Sequence, residues 1–319
     1  MFTRSLRPLL TLALSACLLA AAVGEALAQD ESARDKVLRV CADPDNLPLS
    51  NDRGEGYENK IAERLAQDLG RKIEYTYFPQ RLGFVRNTLK KQDPMTQQFK
   101  CDVIIGVPKG YELTATTRPY MHSTYALLFR HRSEFEQLAT AEDLLKLPPE
   151  KLHALRIGVF AQSPGSDWLL RNELLDRAVF YASQSGDPHE NPASTVSRDL
   201  DAGNIDAAIV WGPVAGFLMH NHSASPAWRA VPFTPDKQIK FDYEISMGVR
   251  FGEKEWKATL DDWIARNEQN VNQILATYLV PLLDADGNIK VDFRSSEREL
   301  TNGVAKRIPL QLGLNGTTP

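Results

Sequence analysis

Several carboxyls, hydroxyls and aromatic rings fall where the chain turns between regular elements, the places at which a ligand would be met. Asp43, Asn46 and Leu49 lie in the polar stretch Asp43–Asn51, and Tyr57 and Glu58 open the helical pattern that follows. Tyr111, Thr117, Arg118 and Tyr120 belong to the loop and extended segment after Pro108. Ser163 and Ser166 bracket Pro164-Gly165 at a helix start, where free backbone N–H groups suit an anion or an ordinary N-cap. Trp211 ends an apolar strand just before Gly212-Pro213. Acid–base chemistry would have to use Asp43, Glu58 or Glu112, and Arg81, Arg86 or Arg118 would either pair an anionic partner or lie solvated. The chain has no G-x-S-x-G elbow and no Gly-rich phosphate loop. His220 and His222 are spaced to point to different helix faces, and Asp284–Asn288 lacks the glycine position and closing Glu of a calcium loop. No catalytic residue and no metal site is assigned.

The elements that position these residues alternate between strand and helix. Val37–Val40 form a strand ending at Cys41, and Ile61, Leu65 and Leu69 share one helix face that Gly70 stops. Ile73, Tyr75 and Tyr77 alternate as a strand, Pro79–Leu89 reads as a loop into a second helix, and Asp102–Val107 is a third strand. The pattern recurs at Leu155–Phe160, at a helix carrying Leu169, Leu170 and Leu174, at Ala178–Tyr181, at a helix around Val196 and Leu200, and at Asp206–Trp211. Ser123–Arg130 and Glu244–Val249 read as the two crossings between halves, and Trp256 to Tyr278 as a helical tail whose apolar period is interrupted by polar Asn267. The fold class expected is α/β with two lobes joined by a two-strand hinge. Residues 29–129 plus 241–319 form lobe 1 and residues 130–240 lobe 2, with a cleft between them.

Residues 1–28 read as an export signal: Arg4 and Arg7 precede an apolar run, and Ala26-Leu27-Ala28 supplies the cleavage pattern. Leu14-Ser15-Ala16-Cys17 loosely matches a lipoprotein box, but Cys17 lies inside the apolar run. Cleavage would leave 291 residues at a net charge of −5, which speaks against nucleic acid and anionic membrane surfaces as partners. No later run is long enough to span a membrane. Cys41 and Cys101 then remain. Cys41 ends the first strand and Cys101 starts the third, which a flavodoxin-like order sets side by side, so a disulfide is expected, with two buried thiols as the alternative.

These residues resemble the type 2 periplasmic solute-binding proteins over nearly the whole chain after the leader. Three positions depart from the group's amino-acid site. Leu49 replaces the aromatic after the loop proline, the clamping arginine is missing from Pro108–Glu112, and Trp211 stands near where the acidic partner of a ligand ammonium is expected. The motifs CADPDNLPLSN, GYENKIA, YFPQRLGFVRNTL, CDVIIGVPKGYE, TTRPY and AIVWGPVAGF are similar to the quinoprotein-dehydrogenase-associated binding proteins, the MxaJ/XoxJ family. That resemblance implies a periplasmic accessory protein of a pyrroloquinoline-quinone (PQQ) methanol dehydrogenase, calcium- or lanthanide-dependent. It would help the enzyme mature or become active, holding no cofactor itself. The cleft, with Leu49, Tyr57, Tyr111, Tyr120 and Trp211, would take an apolar or peptide-like guest. The alternatives are a solute receptor of an ABC importer and a dehydratase-like enzyme on the same scaffold.

Overall fold

The computed structural model describes residues 36–182, 192–222 and 228–293. The export-signal and lipidation readings, at residues 1–28, lie outside the described residues. In the first half, β1 (Val37–Ala42) is followed by a small hairpin, β2 (Asp45–Asn46) and β3 (Ser50–Asn51). Helix α1 (Tyr57–Asp68), β4 (Lys72–Tyr77), a single turn α2 (Phe84–Asn87) and β5 (Val103–Pro108) complete it. The strand β6 (Ala115–Arg130) leads into the second half: α3 (Pro149–Leu152), β7 (Ile157–Phe160), α4 (Pro164–Arg171), β8 (Ala178–Tyr181), α5 (Pro192–Ala202), β9 (Ala207–Trp211), α6 (Gly212–Asn221) and β10 (Trp228–Pro232). The chain returns through β11 (Asp242–Val249) to α7 (Lys254–Thr277) and the hairpin β12 (Leu282–Leu283) and β13 (Ile289–Val291).

The strands form one sheet in the order β4-β1-β5-β11-β6-β9-β7-β8, with β10 also on β6. Each half has the same plan. A first strand lies between two parallel partners, β1 between β4 and β5 and β7 between β8 and β9. An antiparallel strand from the crossing region closes each set, β11 on β5 and β6 on β9. Strand β6 serves both halves: Ala115 to Thr124 pair with β11, and from Tyr125 onward its partners are β9 and β10. The main core runs through both halves, from Ile61 and Leu65 of α1 to Val196 and Leu200 of α5, with Leu260 and Trp263 of α7. A second cluster fills the far side of the second half around Trp168 and Phe233. A third surrounds Cys41 and Cys101, which form a disulfide with Cα atoms 5.4 Å apart.

Two elements differ from the sequence reading, each because of a partner distant in the chain. The helix expected after Pro79 shrinks to one turn because the Thr88 hydroxyl donates to the Phe84 carbonyl (2.7 Å) and Arg250 takes the Leu89 carbonyl (3.0 Å). Strand β6 begins at Ala115 rather than Ser123, since β11 is there to pair its first half. Gly212-Pro213 ends β9 as expected and also starts α6, Pro occupying a first-turn position whose N–H has no intrahelical use. Polar Asn267 stands on the buried face of α7, where its side-chain amide donates to the Trp263 carbonyl at 3.1 Å and is satisfied within the helix.

Candidate functional site

The site is built where β1, β5 and β9 end and α1 begins. After β1 the chain folds back as the β2–β3 hairpin, held by Ser50, whose hydroxyl accepts the Asp43 N–H (3.1 Å) and donates to the Asp43 carbonyl (2.9 Å). The Asp43 carboxylate accepts the N–H groups of Asp45 (2.9 Å) and Gln80, and the Asn46 amide donates to Gln80 (3.2 Å). Hairpin carbonyls meet the start of α1: Pro48 accepts the Tyr57 N–H (2.8 Å) and Leu49 the Glu58 N–H (2.9 Å). Two donors of this helix end, those of Tyr57 and Glu58, are therefore spent on the hairpin. Leu49 itself packs against the main core.

This capping aims Glu58 into the protein. Its side chain is only 6% exposed and lies against Gly106 of β5. A Cβ at Gly106 would come within 2.9 Å of the Glu58 carboxyl carbon, so glycine alone leaves room. The carboxyl makes no hydrogen bond with any described group. Burial, and next the charge of Asp43, push its pKa up to about 8. Tyr57 and Tyr120 stand beside it; burial, with the Glu58 charge second, raises both phenols well above their usual value. The Tyr120 hydroxyl is buried without a partner.

Tyr120 reaches this place because β6 is irregular. Ile245 of β11 pairs with Met121 but Ser246 pairs with Pro119, so Tyr120 is the extra residue of a β-bulge. Pro119 has no N–H for the ladder, which favours an irregularity there. A second register shift follows, and the Thr117 hydroxyl accepts the Met247 N–H (2.9 Å) while donating to the Arg118 carbonyl (2.8 Å). Thr117 thus stitches the hinge strands. Arg118 is exposed and lines a cavity of about 380 Å³ with Tyr120, His122, Glu268 and Lys290; Glu58 is not among its lining residues.

From the second half, Trp211 completes the cluster. It pairs in register with Tyr125, their rings 5.5 Å apart edge to face, and its other side meets Tyr243 at 5.9 Å. Trp211 also packs against the main core, to which Tyr57 of α1 belongs. Tyr111 instead packs with the disulfide cluster. Ser163 and Ser166 cap α4 reciprocally: each hydroxyl accepts the other's N–H, at 3.4 and 3.1 Å, and that of Ser166 also donates to the Ser163 carbonyl (2.7 Å). Of the residues singled out in the sequence, the fold gathers Asp43, Tyr57, Glu58, Tyr120 and Trp211. It leaves Thr117, Arg118, Tyr111, Ser163 and Ser166 in other contacts. Gly106, Tyr125 and Tyr243 were not anticipated. A glycine inside the apolar strand VIIGVP was the available signal for a close approach there.

No protein-family model matches the chain. Protein MoxJ of Paracoccus denitrificans is 37% identical over 276 residues, 83% of this chain and 95% of that protein. Protein MoxJ of Methylorubrum extorquens is 28% identical over 297 residues, 86% and 93% of the two chains. The crystal structure of the periplasmic binding protein XoxJ from Methylobacterium extorquens superposes with a TM-score of 0.62 at 33% identity, covering 77% of this chain and 99% of that one. The fold is that of the type 2 periplasmic binding proteins, and the chain belongs to the MxaJ/XoxJ family, whose members MoxJ and XoxJ it matches along almost their full length.

Proposed function

We propose that this protein is a non-catalytic periplasmic accessory protein of a methanol-oxidation system, which binds a PQQ-dependent methanol dehydrogenase and favours its mature form. Residues 29–129 with 241–319 act as one lobe and 130–240 as the other, hinged at the β6 and β11 crossings, and residues 1–28 direct export. The observation that carries the reading is Trp211. It fills the end of β9 with an indole in contact with the Tyr125 and Tyr243 rings, and Asp43, Tyr57, Glu58 and Tyr120, gathered with it, supply no guanidinium to clamp a carboxylate. Tight zwitterion binding needs charge-assisted bonds at both ends of the ligand. An aromatic and weakly polar cleft suits a segment of protein instead. No helix among the described residues is long and apolar enough to cross a membrane. The accessory effect is a difference in affinity between immature and mature enzyme. Purified protein mixed with apo-dehydrogenase is expected to co-elute with it or raise the activity recovered on reconstitution. An unchanged elution profile together with unchanged activity overturns the proposal. A thermal-shift screen of organic acids and amino acids tests the importer alternative, which predicts a large stabilisation by one of them.

A further inference from the structure

We propose that the recess at Glu58 is a binding site for a primary ammonium group, seated on the Glu58 carboxylate and enclosed by Tyr57, Tyr120 and Trp211. The inference rests on the cleft reading above, in that the group enters between the two halves, and it adds the chemistry of what enters. Glu58 is a nine-tenths buried carboxyl with no hydrogen-bond partner among the described groups, and the Tyr120 hydroxyl beside it is buried and equally unpartnered. A buried hydroxyl without a partner is a costly arrangement that a bound donor would relieve. An ammonium brings three donors and no acceptor, matching a carboxylate and a phenol oxygen. An amide offers fewer donors and no charge.

The local field selects the sign of the guest. The end of β1 presents Asp43, which acts electrostatically on Glu58; α1 presents Tyr57 and β6 presents Tyr120; β5 contributes Gly106, which has no side chain, and β9 the neutral Trp211. No cation appears among the groups that act on Glu58. An anion would be repelled by Asp43, whereas a cation is attracted by both carboxyls and by the aromatic rings around it. Glu58 holds its proton up to about pH 8 in the empty site. Seating a cation therefore expels that proton to the solvent, and binding tightens as pH rises. The ammonium has two possible sources, a free amine or a lysine side chain of a protein partner.

Calorimetric titration of the full chain with propylammonium chloride and with Nα-acetyl-lysine amide, at pH 6.5 and 7.5, tests the site. Acetate and acetamide serve as anionic and neutral controls. At least one cation is expected to bind, about tenfold more tightly at the higher pH, with proton release revealed by buffers of different ionisation heat. Both controls should be silent. Binding by both cations supports the site as a general ammonium pocket. Binding by the lysine amide alone assigns the source to a protein, and binding by propylammonium alone assigns it to a free amine. Glu58→Gln should lose at least tenfold in affinity without a fall in melting temperature. The pH and buffer dependence of the wild type needs no variant to be read. Silence of both cations, equal binding of acetate or acetamide, or undiminished binding by the variant overturns the inference. Co-elution with the dehydrogenase is scored separately, so the wild type can retain the partner while failing this test.

Discussion

The carboxyl of Glu58 lies directly on the backbone of Gly106, at a point where any side chain on β5 would displace it. Its pH behaviour follows from that placement. The folded-state pKa, about 8, exceeds the ordinary value of 4.5, so the folded protein holds a proton that the unfolded chain releases between those limits. Stability from this group is complete below about pH 4.5 and declines as pH rises towards 8, by on the order of 5 kcal/mol in all. Denaturant unfolding of wild type and Glu58→Gln is expected to agree near pH 4.5 and to diverge by pH 8, with the variant the more stable. Parallel curves across that range would exclude a buried neutral acid.

Trp211 couples the halves through its neighbours. A double-mutant cycle of Trp211→Ala and Tyr125→Ala is expected to show a coupling of about 1 kcal/mol, the scale of an edge-to-face aromatic pair. Trp211→Ala alone is expected to lower the denaturation midpoint, and an unchanged midpoint would mean that the core around it fills its place.

The Cys41–Cys101 disulfide closes a loop with a sequence separation of 60 residues. Replacing both cysteines by serine is expected to lower stability by about 4 kcal/mol through the freed entropy of the unfolded chain. Equilibrium unfolding with and without reductant measures it, and no difference would show that residual structure already restrains that loop in the unfolded chain.

Arg250 anchors the end of β11 to the first half. Its guanidinium bonds Asp102 (2.9 Å), Glu253 (2.6 Å) and the Leu89 carbonyl (3.0 Å), and lies 4.1 Å from the Phe99 ring centroid. Arg250→Met leaves buried acceptors unpaired and is expected to cost about 3 kcal/mol, read as a lower denaturation midpoint. Arg39→Met, at the more exposed partner of Asp102 (2.8 Å), should cost no more than about 1 kcal/mol.

Local sequence carried the regular elements because they rest on local physics. The 3.6-residue spacing of Ile61 and Leu65, the left-handed Gly70 and Gly203, and the β-branched run from Val103 need only their own neighbours to form. The repeated strand–helix alternation was legible for the same reason, as was the pairing of Cys41 with Cys101 once the strand order was assumed. The one-turn α2 and the early start of β6 were not, since Arg250 and β11 decide them from more than 100 residues away.

For the site, residue types and loop positions alone put Asp43, Tyr57, Glu58, Tyr120 and Trp211 on one list with Tyr111, Thr117, Arg118, Ser163 and Ser166. Only tertiary structure separated them. A bulge opposite Ser246 turns Tyr120 inward and leaves Arg118 outside, and a hairpin capping α1 drives Glu58 against Gly106. Side-chain direction at such points depends on which strand supplies the missing ladder bonds, and that pairing is made by segments distant in the chain. The sequence determined the kind of fold and the chemistry available to it; three-dimensional pairing decided which of those groups face one another and which are consumed in holding the hinge.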